Sequence, residues 1–197
     1  MPLSDADAFF RHHFDGSAAL MRQCGELAGD AAAAAAEQLL AAWMNDGKLL
    51  VCGSGTAAAL AHTLCGYLNG SLNRERMALP ALCLNSNPAL LGAPHTDDPF
   101  ARQIHALGKP HDRVLLLAAV GADAELLAAL AAAHEHGLPV LAVTGGDGGA
   151  LAAALAADDM LLNIPHTHPL WVLEAQTALV HALCGYIDQL LLGEADH

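Results

Sequence analysis

Five short apolar runs, at residues 48–52, 80–84, 113–119, 139–143 and 160–164, alternate with helix-compatible segments at 56–72, 99–107, 123–136, 148–156 and 169–192. Strands separated by helices imply βαβ crossovers, a mostly parallel sheet and helices on both of its faces. The expected fold class is therefore α/β, a three-layer sandwich around a five-stranded parallel sheet. Only 4% of the residues are aromatic, so the core must be built from small aliphatic layers, which suits helices packed closely on such a sheet. A chain of 197 residues accommodates one domain of this kind with a helical extension, and not two.

The extension is the N-terminal stretch. Residues 4–28 and 30–45 carry helical periodicity, and the Gly29-Asp30 pair between them predicts a helical hairpin. The Ala31–Ala36 run reads as ordered helix, since Ala is the strongest helix former. The expected division is a hairpin over 1–46, serving oligomerisation, followed by the α/β domain over 47–197.

Composition excludes some partners. With 21 acidic against 8 basic residues the net charge is −13, and such a surface repels nucleic acid phosphates, so no direct nucleic acid contact is expected. The cysteines Cys24, Cys52, Cys65, Cys83 and Cys184 are odd in number and lack Cys-x-x-Cys spacing, the pattern of buried thiols in a reducing compartment. No basic segment precedes an apolar one at the N-terminus, and no run approaches the roughly 18 consecutive apolar residues that cross a bilayer. A cytoplasmic protein without membrane partners is expected.

The sharpest local signal is Cys52-Gly53-Ser54-Gly55-Thr56, between the first strand and a helix. Glycines there permit a tight turn and leave amides at a helix N-terminus, a natural anion site. The same residues are also ordinary turn chemistry. The turn is not a Walker A loop, because no Gly-Lys-Ser/Thr follows, and Ala58 holds the third glycine's place of a dinucleotide fingerprint.

Three strings together resemble one family. Gly53–His62 (GSGTAAALAH) is similar to the first turn and helix of the phosphoheptose isomerase branch of sugar isomerase (SIS) domains. Leu141–Ala152 (LAVTGGDGGALA) is similar to that branch's LTGxDGGxLA segment, and Ile164–Asp188 resembles its terminal helix. The resemblance covers nearly the whole chain and implies a flavodoxin-like sheet. Within the branch, the length and the closing Leu183-Cys184-x-x-Ile187-Asp188 pattern resemble the DnaA initiator-associating proteins, regulators of replication initiation.

The resemblance carries roles onto particular residues. In the isomerases a Glu after the first strand and a His on the last helix move protons between C1 and C2 of sedoheptulose 7-phosphate, with zinc held nearby in some members. His181 falls at the catalytic His. His62 matches a further His, and His62 with His181 are the weak candidates for a metal; no cofactor is expected. Where the Glu should be, the turn reads Leu64-Cys65-Gly66, and the Gln and Arg of the terminal helix are Leu173 and Trp171, although Glu174 remains. The phosphate loop after the third strand, rich in hydroxyls in the family, reads Ala118-Ala119-Val120-Gly121-Ala122-Asp123, and a substrate-side loop near Gly92–Asp98 is shortened. Ser54, Gly55, Thr56, Gly121, Asp123 and Glu174 are left as the ligand-binding candidates.

Outside that set, His12-His13, His134-x-His136 and His166-x-His168 read as surface or helix-end histidines, since no carboxylate or thiol stands at ligand spacing. Leu190-Leu191-Leu192 cannot all face one core on a helix, which marks Leu191 and Leu192 as candidate partner contacts. The missing carboxylate and hydroxyls favour a non-catalytic SIS regulator of the DnaA-associating kind, a homotetramer with DnaA as partner, over an enzyme. A phosphoheptose isomerase and a phosphosugar-sensing module are the alternatives.

Overall fold

The computed structural model describes residues 3–71, 74–92, 98–121 and 123–194. All five apolar runs form strands: β1 (Leu49–Gly53), β2 (Ala81–Cys83), β3 (Arg113–Leu117), β4 (Val140–Gly145) and β5 (Met160–Ile164). They pair in the order β2-β1-β3-β4-β5, every neighbour parallel, with Leu50 opposite Leu82 and Val114, and Val143 opposite Leu117 and Leu162. β1, β3 and β4 are buried almost throughout and read as continuous apolar runs, whereas the edge strands β2 and β5 are partly exposed.

The helices are α1 (Leu3–Met44), α2 (Ala57–Asn69), α3 (Pro88–Leu91), α4 (Pro99–Leu107), α5 (Ala124–Glu135), α6 (Gly149–Ala153) and α7 (Pro169–Leu192). Alternation along each strand sends side chains to two separate cores. Leu49, Val51, Leu115, Leu117 and Val143 face α1, α2 and α7, while Leu50, Cys52, Val114, Leu116 and Ala142 face α4, α5 and α6. Phe100 of α4 anchors the second core at 2% exposure.

The N-terminal hairpin is corrected: α1 is one continuous helix of 42 residues, about 63 Å long. A glycine inside a helix costs only about 1 kcal/mol relative to Ala, and no proline lies between residues 3 and 44, so Gly29-Asp30 has too little effect to turn the chain. Packing adds to this, since Leu20, Cys24, Ala35, Ala36 and Leu39 of α1 join the first core. Gly16 lets Trp171 lie against the helix, where a Cβ would stand 2.2 Å from Cη2 of the indole. The expectation about apolar runs needs refinement as well. α7, with 24 residues, is long and apolar enough to cross a membrane by length and composition, yet Val172, Ala175, Leu179, Leu183 and Ile187 are buried within the domain.

Candidate active site

The strand order reverses between β1 and β3, and ligands of open parallel sheets bind at the carboxyl ends of strands beside such a reversal. The turns after β1 and β3 meet there. The Ser54 amide donates to the Leu117 carbonyl at 3.0 Å, and Ser54 Oγ donates to Asp123 Oδ2 at 2.8 Å. Gly55 adopts φ +52° with open space beside it, and Gly55 and Thr56 are exposed at the mouth of the turn. Gly121 has φ +73°, and a Cβ there would meet the Gly148 carbonyl at 2.2 Å, so the glycine is required where this turn touches the one after β4.

Asp123 precedes α5, but its carboxylate makes no capping bond to that helix and instead accepts from Ser54. It thus places a negative charge beside the turn and engages one of the two hydroxyls there. Ala122 and residues 93–97, including most of the shortened substrate-side loop, lie outside the described residues. Sequence reasoning missed Gln176, which is fully buried under this edge. Its Nε2 donates to the Ala118 carbonyl at 2.8 Å, while its Oε1 is buried without a protein partner.

Glu174 stands apart, at the junction of α1 and α7. Its Oε1 lies 2.9 Å from His13 Nε2, and its Oε2 accepts from the Ser17 hydroxyl. Burial pushes the carboxyl up, but the Ser17 hydroxyl and the His13 imidazole outweigh it and hold the group below the usual carboxylate range. Trp171 completes this cluster, donating from Nε1 to His13 Nδ1 at 3.0 Å and stacking on His168 with ring centroids 4.6 Å apart. His12 and His166 flank the same indole. These histidines are therefore packing partners rather than bystanders. Elsewhere His134 pairs with the buried Asp159 at 2.7 Å, and His136 with His105 at 3.0 Å.

His181 is exposed on α7 and faces Tyr67 of α2, with Nε2 and the phenol oxygen 3.3 Å apart. Tyr67 was not among the expected site residues, because its pairing spans 114 residues of sequence. It is one of only two tyrosines in the chain, which in so aromatic-poor a sequence was the available signal. About two turns further along α7, Asp188 forms a buried ion pair with Arg76 at 2.5 Å, with side chains 3% and 1% exposed. Arg76 also donates to the carbonyls of Tyr67, Leu68, Gly70 and Met77, closing the C-terminal end of α2.

The described residues do not fit a zinc site. His62 lies with its Nδ1 3.2 Å from Ser86 Oγ, away from the Tyr67 partner of His181, and Leu173 supplies no donor. No group of three or more His, Cys, Asp or Glu converges among the described residues. Cys65 and Cys83 instead pair with each other near His62. The hydrogen bond from Cys65 outweighs burial and lowers the Cys83 thiol to about 6, while the same contact and burial raise Cys65. All five thiols are free and buried. At the end of α7, Leu191 packs against the first core, whereas Leu190 and Leu192 are 37% and 38% exposed.

Comparison with known proteins adds identity to this geometry. The SIS domain family model matches residues 12–145. A phosphoheptose isomerase of Neisseria meningitidis is 37% identical over 91% of this chain and 93% of its own length. One from Laribacter hongkongensis is 37% identical over 92% and 94%. Among solved structures, a phosphoheptose isomerase from Neisseria gonorrhoeae superposes with a TM-score of 0.86 at 34% identity, covering 95% of this chain and all of that one. Another, from Francisella tularensis, gives 0.84 at 31% identity over 96% and 99%. These relatives carry the name of an isomerase and match this chain nearly end to end, which overturns two expectations, that of a non-catalytic DnaA-associating regulator and the preference for a non-enzyme.

Proposed function

The chain belongs to the SIS domain family, in its phosphoheptose isomerase branch, and from that premise we propose that it isomerises a phosphorylated sugar of the sedoheptulose 7-phosphate type between ketose and aldose forms. The observation that carries the proposal is near full-length identity of 36–37% to curated phosphoheptose isomerases, with coverage of 91–92% of this chain. The exposed imidazole of His181 on α7 supplies the general base. The turn of Ser54, Gly55 and Thr56, with Gly121 beside it, receives the phosphate at the sheet reversal. Eleven residues of helix, about 16 Å, separate it from Tyr67, farther than a heptose phosphate reaches, so the His181 that meets the sugar comes from another copy of the proposed assembly. Asp123 opposes that phosphate and weakens its binding.

The experiment is direct. Purified protein is incubated with sedoheptulose 7-phosphate, and the aldose is followed by NMR. Turnover that disappears in His181→Ala supports the reading; full activity in that variant removes His181 from the chemistry.

The active form is proposed to be a homotetramer in the cytoplasm. Phe9, Phe10 and Phe14 on α1 are 65%, 60% and 67% exposed. An apolar groove of about 300 Å³ lies between α1 and α7, floored by Gly25, Ala28, Ala178 and Ala182. Exposed aromatic side chains beside a groove of small residues on the same helix suit burial against further copies. Free buried thiols accord with a reducing compartment. Light scattering at micromolar concentration is expected to give four chains, and a monomer would contradict this assembly.

A further inference from the structure

We infer that Tyr67 is a second acid–base group of this reaction, passing the hydroxyl proton between the two sugar oxygens while His181 passes the carbon-bound proton between C1 and C2. The inference rests on the isomerase reading above and adds a residue to it.

Ketose-to-aldose conversion moves two protons and no net electrons. One proton leaves C1 and arrives at C2; the other leaves O1 and arrives at O2. The first transfer needs a base near neutrality, and the second needs a group that both gives and takes a proton at oxygen. A phenol does the latter.

The described titratable groups leave few choices. Glu174 has both oxygens engaged by His13 and Ser17 and is held in its weakly basic form. Asp188 is buried against Arg76, and Asp123 takes the Ser54 hydroxyl at the phosphate turn. His62 is paired with Ser86 on the other side of α2. His181 and Tyr67 instead meet each other on an open face, rings 5.5 Å apart and polar atoms at 3.3 Å. A catalytic hydrogen bond of this length in a substrate-free protein is ordinary, and it yields readily to a substrate.

One buried device links the helices that carry both members. Arg76 Nη2 donates to the Tyr67 carbonyl at 2.9 Å, and Arg76 Nε donates to Asp188 at 2.5 Å. Asp188 lies seven residues beyond His181, about two turns along the same helix, and so shares its side of α7. The ion pair therefore ties the C-terminal end of α2 to α7 about two turns beyond His181. Arg76 and Asp188 are positioning residues.

The steps balance. His181 Nε2 takes the C1 proton, the C–H electron pair forms the C1–C2 double bond, and the carbonyl pair moves onto O2, which takes the Tyr67 proton. The O1 proton then goes to the Tyr67 phenolate, the O1 pair forms the new carbonyl, and the C1–C2 pair takes the imidazolium proton at C2. Both side chains end as they began.

The test uses the full-length protein with sedoheptulose 7-phosphate across pH. Tyr67→Phe keeps the ring and is expected to lower kcat about 10²-fold or more with KM unchanged within roughly threefold. Replacing Tyr67 by 3-fluorotyrosine, a more acidic phenol, is expected to keep activity and move the alkaline limb of kcat to lower pH, which a purely structural tyrosine would not do. Wild-type kcat in Tyr67→Phe, or an alkaline limb that stays in place, overturns the assignment while leaving the isomerase reading standing. An inactive wild type overturns that reading and this assignment with it.

Discussion

The two ends of α2 are built on opposite plans. At its N-terminus, Ser54, Gly55 and Thr56 form an open turn in which one hydroxyl is already taken by Asp123. At its C-terminus, Tyr67 meets His181, and the buried pair Arg76–Asp188, about two turns further along α7, also takes up four carbonyl groups at the end of the helix and beyond it. On the proposed reaction, the end assigned to the substrate's phosphate is exposed and weakly equipped, while the end assigned to proton transfer is braced by a buried ion pair. The difference teaches where this chain concentrates its specificity. Hydroxyls at a phosphate turn add affinity increments that a substrate at sufficient concentration can do without, whereas a misplaced proton donor stops the reaction.

Breaking the supported end has the larger consequences. His181→Ala is expected to lower kcat about 10²- to 10⁴-fold, read by NMR of the product, with the fold intact because the side chain is exposed. Arg76→Met leaves Asp188 buried without its partner and is expected to cost about 3–5 kcal/mol in urea unfolding, with loss of activity following loss of the α2–α7 geometry. Gly16→Ala tests the neighbouring α1–α7 contact. Its Cβ would lie 2.2 Å from Trp171, so about 1–3 kcal/mol of destabilisation is expected from overpacking.

The open end should respond in the opposite sense. Asp123→Asn removes a like charge beside the phosphate, worth about 1 kcal/mol for unit charges at 4 Å in water, so KM should fall roughly fivefold with kcat unchanged. A KM that rises would mean that Asp123 holds the substrate rather than repels it. The smallest effect is expected at Glu174. Its folded-state pKa is depressed, so its contribution to stability is present above the ordinary carboxylate value and lost as pH falls through the lowered one. The stability difference between wild type and Glu174→Gln should therefore shrink below about pH 4 and be constant above it.

Much of the fold was legible because its signals are local. Five apolar runs became five parallel strands, and the expected helix over 99–107 has the same bounds in the structure. The hairpin over 4–45 failed for a quantitative reason: one Gly-Asp pair is a small penalty against a helix whose far half is secured by Ala35, Ala36 and Leu39 in the core. The site was less legible. Ser54 and Asp123 were both singled out, but their mutual bond depends on two turns meeting at the sheet reversal. Tyr67 was invisible because no spacing within α2 announces a partner on α7. The same holds for Trp171, which replaces a charged family residue and gathers four histidines from two distant segments. Losses of family residues are read directly from a string, whereas replacements of function need the third dimension.

The central claim is that the chain retains isomerase chemistry on an altered site. Incubation of wild-type protein with sedoheptulose 7-phosphate in deuterium oxide tests it most directly. The account predicts formation of the aldose, with deuterium at C2 only in the fraction where the imidazolium exchanges with solvent before C2 is protonated, and loss of the product in His181→Ala. Absence of aldose product with the wild-type protein would contradict it.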